Sequence, residues 1–175
     1  MTEPDKQEKY RNLKRATVLS GLGAIFIFIF DSFMLGAPMI SVFVVIYLII
    51  YVIPVTLMSV KNKPRFRVYG YKLVIYAVLV FSSFGFHSYD ISIAKQRSEV
   101  VIAAVNQYHQ DKGRYPGALQ NLVPAYLSEI PRPRIAPGVF YYVGAPENPH
   151  LMFVDFPPFG RASWSFSNRE WIYLD

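Results

Sequence analysis

Residues 16–35 read ATVLSGLGAIFIFIFDSFML, an apolar run interrupted by one ionisable side chain, Asp31. At about 1.5 Å per residue, a helix of this length reaches across the roughly 30 Å hydrocarbon layer of a bilayer. The run is too long for the apolar part of a cleaved signal peptide, and a second apolar run follows almost at once. Gly36-Ala37-Pro38 breaks the chain, and residues 39–60, rich in Val, Ile, Tyr and Phe, form the second predicted span. Pro54 falls near its end, where neighbouring helices can satisfy the freed backbone groups. Residues 73–89 are the third span; it is shorter, and Lys72 can snorkel toward the headgroups to extend it.

Charge orients these spans. Residues 1–15 carry a net +2 and residues 61–72 a net +5, Asp31 contributes −1, and residues 90–175 balance at zero, which accounts for the net +6 of the 175-residue chain. The turn at 36–38 has no charge. The positive-inside rule therefore puts the lead at 1–15 and the basic loop at 61–72 in the cytoplasm. Three crossings carry residues 90–175 to the other side, the periplasm if the membrane is a bacterial inner membrane. A nucleic-acid partner is not expected, because the basic excess lies beside the membrane and not on the folded domain. The loop also attracts anionic lipids, by roughly 1 kcal/mol per Lys or Arg near the surface. With no cysteine in the chain, disulfides, thiolate metal sites and a cysteine lipid anchor are excluded.

The tail has the pattern of a small α+β domain. Ala94, Val101, Ala104, Val105 and Tyr108 fall on one helical stripe within 91–110, and no Pro or Gly after Gly85 separates that helix from the third span. Gly113 is placed to end it in the left-handed conformation. Pro116 forces Tyr115 into extended geometry. A short helix is expected over 118–122, with Pro124 and Pro131 framing a further turn. Beyond Pro137-Gly138 the period changes to that of strands: 139–143, 151–156, 163–166 and 171–174. The expected fold is three transmembrane helices followed by a long helix packed on an antiparallel sheet of about four strands.

The stretch from Tyr108 through Asp111, Gly113, Tyr115 and Pro116, then Leu122 and on to Pro131, resembles the periplasmic part of type II secretion pseudopilins and related type IV pilin-like proteins. The resemblance takes in residues 71–175 and implies a long helix on a small antiparallel sheet, here set on an unusual three-helix anchor. Lys72-Leu73-Val74-Ile75 follows Gly70-Tyr71 with no Glu, so prepilin processing and entry into a filament are not implied. The family's Asp- and Gly-rich calcium loop has no counterpart in these residues.

Candidate chemistry is sparse. Asp31 is the one acid inside a span, and intramembrane acids are often ion or proton ligands. His87 lies at similar depth, so the bland reading is an Asp31–His87 pair that offsets desolvation. The other histidines, His109 and His150, share no ligand spacing with it, and neither a metal nor a cofactor is expected. The sequence contains no nucleophile elbow, P-loop or dinucleotide fingerprint, so the chain is read as a non-enzyme. The aromatic strands hold more rings than one face of so small a sheet can bury. Tyr141, Trp164, Trp171 and Tyr173 are the candidate contact residues for a protein partner outside the cytoplasm. The leading expectation is a membrane-anchored binding protein, such as an accessory of a pilus or secretion system. Two alternatives stay open: an immunity-type protein that neutralises a membrane or periplasmic toxin, and a small transporter or channel component using Asp31.

Overall fold

The computed structural model describes residues 3–135, 137–157 and 160–174. The chain divides into two compact units, Met1–Phe86 and His87–Asp175.

The first unit is helical. Helix α1 (Glu3–Ile29) runs on into a π-helical turn, Phe30–Leu35. Gly36 follows at φ 66°, a left-handed conformation that only a residue without Cβ adopts at little cost. Helix α2 (Met39–Tyr47), a π-helical turn (Leu48–Val52) and helix α3 (Ile53–Met58) continue one another. The π turn has a local cause. Pro54 has no N–H to donate, and its ring would press on the carbonyl of Ile50, so widening the preceding turn relieves the contact. Helix α4 (Lys63–Lys112) contributes its residues 63–86 to this unit. Ala24, Val44, Leu48, Val52 and Leu79 form its core. Much of the remaining surface is apolar: Phe26, Phe43, Ile50 and Phe81 are each about two-thirds exposed or more. Three helical segments, Arg11–Leu35, Met39–Met58 and Lys63–Lys112, are long and apolar enough to cross a membrane.

The basic stretch at 61–72, expected to be a loop, is helical from Lys63 onward. Lys and Arg are good helix formers, and the start signals lay in the sequence. Asn62 occupies the N-cap, its side-chain oxygen accepting from the Arg65 N–H at 3.4 Å and its carbonyl from Phe66 N–H at 2.9 Å. Pro64 sits in the first turn, where a missing N–H is harmless. The third span and the helix expected over 91–110 are accordingly one 50-residue helix.

The second unit packs residues 87–112 of α4 on a four-stranded antiparallel sheet in the order β1-β2-β3-β4. The strands are β1 (Tyr141–Val143), β2 (His150–Phe156), β3 (Gly160–Ser165) and β4 (Glu170–Leu174). The predicted stripe faces the sheet: Ala94, Val101, Ala104 and Val105 are buried against Leu122, Ile135, Leu151, Phe153, Ala162 and Phe166. α4 ends where expected, at Gly113 (φ 67°), whose N–H bonds to the His109 carbonyl at 2.9 Å. The short helix is a 3-10 turn, Leu119–Leu122. Asn121 closes it by accepting the Ala118 N–H at 2.9 Å.

Candidate functional site

Asp31 is fully buried in the first unit. One carboxyl oxygen accepts the Ile40 N–H at 2.9 Å; the other accepts the Ser41 N–H at 2.8 Å and the Ser41 hydroxyl at 2.6 Å. Ile40 and Ser41 stand in the first turn of α2, where helix N–H groups have no partner within the helix. Asp31 thus caps the helix that follows it, reaching across the Gly36-Ala37-Pro38 turn. A negative group is favoured at that end by the helix dipole as well. Three donors from its own unit hold the carboxyl group. His87 opens the second unit, buried, its ring edge-on to Phe156 at 5.5 Å.

The candidate contact residues divide between the two faces of the sheet. Register pairs Tyr142 with Leu151, Leu151 with Trp164, and Trp164 with Trp171; Ala162 pairs with Phe153 and Tyr173. Directly paired residues project to the same side, so Trp164, Trp171 and Tyr173 lie on the face that carries the core. Trp171 meets Trp164 at 5.5 Å and Phe153 at 5.6 Å, both edge-to-face. Tyr173 is exposed at the β4 edge, where Lys95 of α4 donates to its hydroxyl at 2.7 Å and lies over its ring. One helix covers only part of that face, so Trp164 and Trp171 are half-buried beside it while Tyr173 stays exposed. Tyr141 alone of the four lies on the opposite face. Its row there runs through Met152, Ser163 and Ile172, with Val143 and Leu174 half-exposed on the same side.

The residues that carry the pilin-like resemblance have structural work to do. Tyr108 packs on Tyr126 at 5.4 Å, and Tyr115 stacks on His109 at 4.0 Å and meets Phe166 at a tilt at 5.8 Å. Burial, and then a hydrogen bond with Asp111, hold the Tyr126 hydroxyl above the ordinary phenol value. Pro116 and Leu122 are fully buried, and Pro131 is half-buried. Together they turn the chain from the end of α4 back along the domain.

Two features were missed in the sequence. Asp90, buried on α4, pairs with Arg134 at 2.9 Å, and Arg97 donates to the Arg132 carbonyl at 2.5 Å, so the 131–135 segment is tied to the helix. Burial beside Arg134 is what makes Asp90 a tether, and burial is not visible in the sequence. Tyr142 presents a buried hydroxyl with no partner among the described residues, and burial, followed by the nearby Tyr115, pushes its pKa up to about 12. His150 Nδ1 lies 3.1 Å from Ser163 Oγ, a pair on the outer face of the sheet. Among the described residues there is no group of three or more His, Cys, Asp or Glu that could hold a metal ion.

Comparison with protein-family models, with curated proteins and with solved structures finds no match to this chain.

Proposed function

We propose that this chain is an integral membrane protein of a bacterial inner membrane, and that its second unit binds another protein on the periplasmic side. The observation that carries the membrane part is the first unit's surface. Large apolar side chains stay exposed all along three helices of spanning length, an arrangement that water would penalise and lipid would not. The Lys and Arg residues gathered before α1's apolar run and at the start of α4 support a cytoplasmic placement of those ends.

The binding role rests on the outer sheet face. Tyr141, Val143 and Leu174 remain half-exposed there around Met152 and Ile172, with His150 and Arg161 as polar neighbours. Tyrosine in an apolar setting with a polar surround is a favoured anchor at protein interfaces. The helix-on-sheet order, together with the resemblance at 108–131, supports a pilin-like accessory of a pilus or secretion system; no catalytic role is proposed.

Two experiments test this reading. Protease applied outside spheroplasts should cut within 90–175 and spare 61–72; the reverse pattern refutes the orientation. A photoreactive residue at 141 should capture a pilus or secretion component in cells, while one at 164, on the core face, should not. A folded, protease-accessible domain that captures nothing from position 141 refutes the binding role.

A further inference from the structure

Two cavities in the first unit lie along one seam between α1 and α4. The first, about 400 Å³, is lined by Lys14, Lys63 and Arg67 together with Leu13, Val68 and Tyr71. The three cations come from two helices far apart in sequence, and none has a carboxylate partner among the described residues. The second cavity, about 440 Å³, is almost wholly apolar, with Gly21, Ile25 and Phe28 on one wall and Val74, Val78 and Leu79 on the other.

Helical spacing joins them. On α1 the lining positions 14, 17, 21, 25 and 28 advance by three or four residues, and on α4 positions 67, 71, 74, 78 and 82 do the same. Each series therefore follows one face of its helix. The seam is cationic at one end and apolar along the rest. From residue 14 to residue 28 it is about 21 Å long at 1.5 Å per residue, enough for a headgroup followed by one leaflet of roughly 15 Å.

We propose that this seam holds one anionic phospholipid, its phosphate between Lys14, Lys63 and Arg67 and one acyl chain along the groove beside Gly21. The proposal rests on the membrane reading above. Charge selects the headgroup, and the apolar continuation selects a lipid over a free phosphate ion. Gly21 leaves the groove open, since a Cβ there meets nothing within 4 Å. A purely electrostatic attraction would act differently: every Lys or Arg near the surface would contribute alike, about fivefold each.

The test uses the full chain in uncharged detergent, once extraction from membranes has been shown to need detergent, which examines the membrane reading by itself. Fluorescent phosphatidylglycerol and phosphatidylcholine are titrated against wild type, K14A/R67A, G21L and R65A. Arg65 belongs to the same basic stretch, but its guanidinium lies over the Tyr69 ring and does not line the cavity. Lys14, Arg65 and Arg67 are all exposed, and monodisperse elution with unchanged helicity verifies each variant.

The expected result is saturable binding of one phosphatidylglycerol, at least about tenfold tighter than phosphatidylcholine. K14A/R67A should abolish that preference, G21L should weaken binding of the lipid, and R65A should change it less than about threefold. Equal affinity for the two lipids overturns the proposal, as does an R65A loss equal to half that of the double variant on a logarithmic scale. Displacement of the lipid by millimolar inorganic phosphate, or a G21L variant that binds as wild type does, overturns it in favour of a simple anion site. A seam closed by a second copy of the chain would show as a dimer that excludes the lipid, and also refutes it.

Discussion

The cap that Asp31 places on α2 can be tested by removing it. Asp31→Ala leaves the Ile40 and Ser41 N–H groups and the Ser41 hydroxyl facing an apolar side chain in a buried place. Each donor stripped of its partner costs about 1–3 kcal/mol; because the three share one carboxyl group and such losses are not additive, about 3–5 kcal/mol is expected in total. Asp31→Asn keeps one carbonyl acceptor but turns an amide NH₂ toward the remaining donors, for a loss of about 1–2 kcal/mol. Ser41→Ala removes a single donor, about 1 kcal/mol, and the double variant Asp31→Ala/Ser41→Ala should cost less than the sum of the two by a similar amount. Hydrogen exchange at the Ile40 and Ser41 amides of the full chain in micelles reads the effect where it arises. At 1.4 kcal/mol per decade, Asp31→Ala should speed exchange there by roughly two to three and a half orders of magnitude and Asp31→Asn by about one. Wild-type protection in Asp31→Ala, or strict additivity with Ser41→Ala, would refute the capping role.

Phe153→Ala should destabilise the second unit by about 3–5 kcal/mol in a denaturant titration, whereas Tyr141→Ala on the other face should stay within about 0.5 kcal/mol; equal losses would contradict the face assignment. Arg134→Ala leaves the Asp90 carboxylate buried without its ion-pair partner, and with Arg134 itself 41% exposed the expected loss is about 1–3 kcal/mol, partly restored by Arg134→Lys in a thermal melt. Tyr142 keeps its proton in the folded state up to about pH 12 and releases it near 10 once unfolded. Its contribution is therefore level below about pH 10 and is lost as pH rises through 12. Tyr142→Phe should flatten that alkaline decline, and at neutral pH its stability should match or exceed wild type, because the hydroxyl it removes is buried and unpartnered. A loss of stability at neutral pH would show that the hydroxyl has a partner.

Helix length and strand alternation were legible in the chain because they are local. Apolar runs bounded by Gly36-Ala37-Pro38 and by the 61–72 charges marked the helices, and the stripe from Ala94 to Tyr108 named the face that meets the sheet. Gly113 marked the end of α4, since its conformation follows from the missing Cβ. In the basic stretch the charges suggest a loop, while the N-cap Asn62 and the first-turn Pro64 start a helix. The tertiary structure decided which aromatics face the core. Alternation shows only that Trp164, Phe166, Trp171 and Tyr173 can share faces in pairs; register with β2, whose Leu151 and Phe153 are fully buried, sets which face that is. The same holds for Asp31: an acid in an apolar run is visible in the sequence, but the direction of its hydrogen bonds is not. Those bonds depend on a left-handed residue at Gly36 folding the next helix back until its free N–H groups point at the carboxyl; the sequence shows the break at Gly36-Ala37-Pro38, but only the folded turn sets the direction in which the next helix leaves it.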